Sequence, residues 1–375
     1  VFTFSTPSPT AQSAPKVSIC LPTCNRPELI AECIDSCLAQ TYGDLEIVIG
    51  DDSKDGRTQQ LIAQRYPNEP RIRYVMNQPP LGQARNVASL FERARGDKIL
   101  LIHDDDLLTT DGIEKLVSLW ALHPRLEVAF ANQYEADHNG IVDLDASMRL
   151  NIAFHRTRDA EGLQPLPGRT GLIQMFPNNG WMANADLVKR IGYTDQYGTC
   201  CDFVFGTELC LAAREVFYLH EYVSVYRKTA TSISHSTRGT TSSAPVSAYA
   251  FVKTLRLPPQ LEPSRKLALR RLAPIVVSVH AKNQQVAPGL KILFTHLFAY
   301  NYGLSMRLCY HLLMLSRAAV NLRQHAAVTS VAAAASGVAA AASGVAAAAS
   351  AVVAEPGAAV TELVTDIVTD RSELI

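Results

Sequence analysis

KVSICLPTCNRPELIAECIDSCLAQTYGDLEIVIGDDS, residues 16–53, decides the fold. Two short apolar runs, 17–22 and 45–51, are rich in β-branched residues and end in polar turns, so they read as strands. Between them, 27–40 carries a helical pattern with Pro27 near its start. Strand, helix, strand at this spacing predicts parallel strands joined by a crossover helix. The alternation continues with strands at IRYVM (72–76) and KILLIHD (98–104) and helices at 55–66 and 82–95. An open parallel sheet binds its ligands outside the carboxyl ends of its strands. Polar residues that directly follow a strand are therefore the functional candidates.

Working outward, a helix (111–123), a strand (127–132) and less regular sequence up to 235 extend the same unit, giving a catalytic-sized domain over 16–235. STRGTTSSAPVSA (236–248) reads as a Ser/Thr-rich linker after which 249–325 becomes basic, apolar and helical. A Pro/Ser/Thr-rich leader, 1–15, reads as disordered, and 326–375 is an Ala-rich low-complexity tail with Val331, Val338 and Val345 at seven-residue spacing. The 375 residues carry 35 basic and 35 acidic side chains, and this balance argues against a nucleic-acid partner. The balance hides a contrast: 1–252 is net −6, 253–325 is net +10 and 326–375 is net −4. Eight cysteines without a recognisable secretory leader point to reduced thiols and a cytoplasmic protein. Cys20, Cys24, Cys33 and Cys37 fall on a strand end and a helix rather than on two knuckle turns, which disfavours zinc.

Four signals follow the strands. LPTCNR (21–26) can offer Thr23 and backbone N–H groups to a ligand, or can simply be a helix entry. IGDDSKDGRT (49–58) places Asp51 and Asp52 where a base or ribose would meet a carboxylate, although Asp and Ser also build capped turns. LGQARNVA (81–88) sets Arg85 on the first turns of a helix facing the same crevice, as a planar donor or as a solvated surface side chain. LLIHDDDL (100–107) is the strongest signal. Three consecutive Asp at a sheet's ligand edge repel one another unless something positive binds there, and hard divalent ions bridge carboxylates to phosphates.

Taken together and in this order, the four motifs resemble the family 2 glycosyltransferases, which are mostly inverting, nucleotide-sugar-dependent enzymes of the GT-A fold. The resemblance covers about 16–235. It implies an α/β fold with a mostly parallel sheet flanked by helices, followed by a C-terminal helical region and the low-complexity tail. It further implies that Thr23 and Asp52 contact the nucleotide, that Arg85 lies near the base, and that Asp104 and Asp106 form a DxD element. In that element the first acid faces the ribose and the last holds Mn²⁺ or Mg²⁺ on the diphosphate. Downstream, CCDFVFGTELCLAAR (200–214) resembles the family's acidic pair before a helix, with Asp202 as general base, Cys201 where Glu is frequent, and Glu208 as competitor. His103 reads as a residue that shapes the turn, while Trp181, Tyr226 and Arg227 are candidates for the acceptor pocket.

The expected partners are a nucleoside-diphosphate sugar donor and a glycan or lipid-linked acceptor. Peripheral membrane association through 253–325 is expected from its Leu, aromatic and basic residues, with a helical cap on the catalytic domain as the competing structure. A nucleotidyltransferase would show a Gly-rich loop after the first strand, and a dinucleotide-dependent dehydrogenase a GxGxxG there. The non-enzymatic alternative is a membrane-associated scaffold or binding protein that keeps a degenerate glycosyltransferase domain.

Overall fold

The computed structural model describes residues 15–229, 243–298 and 305–324; the leader and the Ala-rich tail lie outside the described residues. Four strands, β1 (Val17–Thr23), β2 (Leu45–Asp51), β3 (Ile72–Met76) and β4 (Lys98–Leu101), pair in parallel in the order β3-β2-β1-β4. Every residue of β1 and β2 is buried, which is why both strands read as unbroken runs rather than as an alternating pattern. Helices α1 (Pro27–Leu38), α2 (Arg57–Arg65) and α3 (Gln83–Arg93) connect them. Side chains alternate across the sheet: Ile19, Leu21, Ile47 and Ile49 pack with Ile30, Cys33, Ile34 and Cys37 of α1. Cys20 and Val48 turn the other way, to Val87, Leu90 and Phe91 of α3. Helices thus cover both faces, and the chain reverses its order between β1 and β4, where an α/β sheet opens its crevice.

Beyond β4 the sheet becomes mixed. The chain continues through β5 (Leu107–Leu108), α4 (Gly112–Leu122), β6 (Val128–Ala136), β7 (Val142–Asp143), α5 (Leu144–Ala153), β8 (Gly162–Leu163) and α6 (Pro167–Leu172). It then forms β9 (Trp181–Asn184), α7 (Ala185–Ile191), α8 (Cys201–Ala212) and β10 (Val216–Arg227). β9 sits antiparallel between β4 and β6, and β10 runs parallel to β6 and antiparallel to β5. This arrangement returns the end of β10 to the turn that follows β4. Trp181, an acceptor-pocket candidate, is instead 1 % exposed and packs between Phe176 and Phe205 in the core.

The segment 236–248 is not wholly linker. α9 (Ala244–Thr254) begins inside it, with Pro245 in its first turn and Ala248, Tyr249, Phe251 and Val252 buried. These residues and Leu269, Leu272 and Val276 of α10 (Glu262–Lys282) share one core with Leu172 and Val204 of the catalytic domain. The proximal part of the basic region is therefore a cap. α11 (Val286–His296) and a helix over 306–324, here α12, follow it and form a small separate core with the end of α10.

Gly50 fixes how closely α3 approaches β2. A Cβ there would stand 2.2 Å from Oδ1 of Asn86, a buried side chain that donates to the Gly50 carbonyl at 2.8 Å and accepts from Asn77 at 3.1 Å. Gly50→Ala is expected to lower stability by about 1–3 kcal/mol, the usual cost of overpacking. Urea unfolding reads the change as a shifted midpoint, and an unmoved midpoint would show that α3 can retreat freely.

Candidate active site

The carboxyl ends of β1, β2 and β4 open onto a cavity of about 810 Å³. Thr23, Asp52, Asp104, Asp106 and Asp202, which lie up to 179 positions apart in the chain, all line it. The topology accounts for this convergence: Thr23 ends β1, Asp52 follows β2, the Asp run follows β4, and Asp202 stands in the first turn of α8.

The Asp run is held rather than splayed into water. Asp104 accepts from the Thr23 hydroxyl at 2.7 Å and from Arg26 Nη1 at 3.1 Å. The same Arg26 nitrogen lies 3.3 Å from Asp105, whose carboxylate also accepts from the Thr229 hydroxyl at 3.2 Å. Asp106 accepts from Asn179 Nδ2 at 2.5 Å and from the Arg227 backbone N–H at 3.0 Å. Burial pushes the Asp104 and Asp106 carboxyls above their ordinary range; the charge of Arg26 opposes this at Asp104, and the nearby His103 opposes it at Asp106. Their ionised forms are therefore under-compensated by the protein, which is the condition that favours an added cation.

Among the described residues no three Asp, Glu, His or Cys side chains converge to hold a metal ion by themselves. The donors that face the cavity are carboxylate oxygens, and each carboxylate keeps lone pairs beyond those its hydrogen bonds use. That set suits a hard divalent cation such as Mn²⁺ or Mg²⁺.

His103 has a larger role than shaping the turn. Its Nδ1 lies 3.8 Å from Asp106 and its Nε2 3.9 Å from Asp202, with the side chain 18 % exposed. Burial alone would lower its pKa, but the close approach of Asp106 and the charges of Asp202, Asp106 and Asp105 carry it to about 10. An imidazolium thus links the acidic run to Asp202. Asp202 also accepts from the Tyr193 hydroxyl and keeps 35 % of its side chain exposed. Glu208 does not line the cavity: six residues along α8 put it about 9 Å farther down the axis.

Asp52 lines the cavity but is engaged. It accepts from Asn77 Nδ2 (2.8 Å) and from the backbone N–H groups of Leu81 (3.1 Å) and Gly82 (2.7 Å), so it braces the turn that starts α3. Arg85 is not where the sequence places it. Gly82, Gln83 and Asn86 take the cavity-facing positions of that turn, and Arg85 is 72 % exposed and pairs with Asp195 at 3.1 Å.

A buried relay stands behind Asp106. Arg156 is 2 % exposed and donates to Asn151 Oδ1 at 2.8 Å, to the Met175 carbonyl at 3.4 Å and to Gln133 Oε1 at 3.2 Å. Gln133 Nε2 in turn donates to Asn178 Oδ1 at 3.0 Å and to Asn179 Oδ1. Arginine has donors and no acceptor, so it fixes which end of the Gln133 amide faces it. The orientation propagates: Asn179 presents its oxygen to Gln133 and Ser224, and its NH₂ to Asp106. Arg26, Tyr193, Asn179 and this relay are absent from the sequence-derived site. LPTCNR contained Arg26, but its partners lie 78 and 79 residues away.

A mixed α/β sheet with its acidic edge at the β1/β4 switch point defines a GT-A glycosyltransferase domain. Residues 18–178 match the profile of Glycosyl transferase family 2. Chondroitin synthase of Escherichia coli is 31 % identical over 134 residues, which are 36 % of this chain and 19 % of that enzyme. An uncharacterized protein of Mycobacterium tuberculosis is 30 % identical over 227 residues, 58 % of this chain and 68 % of that protein. The chain belongs to glycosyl transferase family 2. It spans a fifth or less of the length of the chondroitin synthases it matches. Among solved structures, a mannosyltransferase from Pyrobaculum calidifontis, in complex with GDP-Man and Mn²⁺, superposes with a TM-score of 0.54 at 18 % identity, over 82 % of this chain and 86 % of that one.

Gln133→Leu removes an acceptor from the buried guanidinium of Arg156 and a donor from Asn178 and Asn179. It is expected to lower stability by about 1–3 kcal/mol, the cost of stranding a buried polar partner. Chemical denaturation checks this, and an unchanged unfolding free energy would mean that water replaces the amide.

Proposed function

We propose that the protein moves a sugar from a nucleoside-diphosphate sugar to a hydroxyl of a glycan or lipid-linked acceptor, with inversion at the anomeric carbon. The observation that carries this reading is the shared cavity: under-compensated carboxylates at the end of β4 face a partly exposed Asp202 across one space. The Pyrobaculum mannosyltransferase, with its nucleotide sugar and Mn²⁺, supports the donor class, and the similarity to chondroitin synthase supports polysaccharide synthesis.

Asp104 and Asp106 would hold Mn²⁺ or Mg²⁺ against the diphosphate, where such an ion supplies Lewis-acid neutralisation of the charge that grows on the departing phosphate. Thr23 orients Asp104, and Arg26 keeps the adjacent acids from repelling one another. Thr23 and Asp52 form the floor under the nucleotide. Arg85 joins it by exchanging Asp195 for the base or a phosphate, an exchange made easy because the pair is exposed and weak. Asp202 takes the proton from the attacking hydroxyl, with Tyr193 fixing its orientation. Attack from the face opposite the leaving diphosphate in a single displacement inverts the anomeric centre. All eight cysteines are free, in keeping with a cytoplasmic setting. No helix among the described residues is long and apolar enough to cross a membrane, and attachment to its cytoplasmic face is peripheral in this proposal.

Asp202→Asn should lower kcat by about 10²–10⁴-fold, the range of a general base, while calorimetry with Mn²⁺ and UDP, GDP or dTDP shows nearly unchanged nucleotide affinity. Full activity in that variant would place the base elsewhere. Failure of the wild-type protein to bind all three nucleotides with Mn²⁺ would replace the enzymatic proposal with a scaffold.

A further inference from the structure

The C-terminal region divides its charge between two uses. In α10 two cations serve the cap: Arg265 donates to the carbonyls of Val252, Lys253 and Leu255, and Arg271 donates to the carbonyl of Ile173 and lies 4.4 Å over the Phe154 ring. Farther on, α12 buries Leu308, His311, Leu315 and Ala318. Its opposite face presents Met306, Tyr310, Leu313 and Val320, spaced by four, three and seven residues, which is a single helical stripe. Met306 is 85 % exposed and Tyr310 57 %. On α11, Phe294 is 60 % exposed, and Phe298, one turn on, is 85 % exposed.

Between Lys282 and Gln324 the sequence carries Lys282, Lys291, Arg307, Arg317 and Arg323 and not one acidic residue, and all five cations are exposed. Aromatic and aliphatic side chains left in water are costly, and cations that pair with no acid among the described residues select a surface of opposite charge. An interface of anionic headgroups over acyl chains meets both demands at the same place. We infer that α11 and α12 are the membrane-docking element, with Phe294, Phe298, Met306 and Tyr310 entering the headgroup layer of an anionic bilayer and the five cations lying among the lipid phosphates. This rests on the peripheral-attachment part of the proposed function and narrows it from the whole basic region to one helix pair with the Lys282 end of α10, Arg265 and Arg271 of the cap being engaged internally.

The full chain is tested by sedimentation with vesicles of phosphatidylcholine alone and of phosphatidylcholine mixed with phosphatidylglycerol, at low and high salt. The wild type is expected to bind the mixed vesicles and to release as salt rises. The combined variant Met306→Ser, Tyr310→Ser, Leu313→Ser alters only exposed side chains, so its thermal unfolding should match the wild type while its binding falls at least about ten-fold. Arg307→Glu with Arg317→Glu should weaken binding by about five-fold per cation or more. If the wild type binds neither vesicle, peripheral attachment itself is overturned. If it binds but the combined variant binds equally well, attachment stands and its assignment to α11 and α12 falls. A dimer of the wild type that the combined variant dissolves, with no vesicle binding, would make this face a contact between copies and overturn the inference.

Discussion

Three adjacent carboxylates buried at the end of β4 are the constraint on which the rest of the site is built. Moving charge out of water is unfavourable by several kcal/mol per ion unless partners replace the solvent. Here the partners come from every part of the domain: Arg26 and Thr23 after β1, His103 in the same turn, Asn179 before β9, and the Arg227 backbone at the end of β10. β10 runs parallel to β6 and, across the antiparallel β9, in the same direction as β4, so its end reaches the edge where the Asp run stands, and its pairing with β5 fastens it there. The compensation stays incomplete, since burial still raises the Asp104 and Asp106 carboxyls. A site that balanced its own charge fully would have no reason to gather the cation and diphosphate proposed for it.

Much of this was legible in the sequence because the first hundred residues obey local rules. β1 to β4 and the helices between them show as apolar runs and helical periods with turn residues at their ends, and Thr23, Asp52, Asp104 and Asp106 appear as the polar residues that follow strands. Asp202 was reached through family resemblance to the run that opens α8. The remaining site residues carry no local signal. Arg26 looks like any charged residue at a helix entry until its partners 78 and 79 positions later are known. Gln133, Arg156 and Asn179 read as ordinary polar residues of a strand, a turn and a loop, yet they form one buried chain. Arg85 stands outside the cavity lining for a related reason: sequence puts a residue on a helix but does not say which side of the first turn faces the crevice, and Asn86 takes that side because Gly50 admits it.

The Arg156 relay shows how a fold can aim a buried carboxylate from a distance. Asparagine and glutamine amides are ambidextrous, and a network made of them alone could reverse its direction. A group that only donates at one end and a carboxylate that only accepts at the other remove that freedom. Gln133 and Asn179 are left with one orientation, so Asp106 always meets an N–H rather than a carbonyl. The guanidinium has no carboxylate partner in the hydrogen bonds that hold it, and burial lowers its pKa to about 10, still a cation at neutral pH. Its charge is therefore available, through the two amides, to the carboxylate at the cavity wall.

Charge segregation along the chain follows the same logic at larger scale. The part up to residue 252 is net negative although the donor proposed for it is an anion, and that sign is workable only if cations are concentrated where the diphosphate would lie. The excess positive charge is placed beyond residue 252, where it cannot neutralise the acidic edge and compete with a metal ion. Part of it is consumed in fastening α10 to α9 and, through Arg271, to the catalytic domain by way of backbone carbonyls, which are acceptors without formal charge. The cations of α11 and α12 stand exposed beside exposed aromatic rings. Separating the two signs in this way lets one chain hold a cation-seeking cavity and an anion-seeking surface without either cancelling the other.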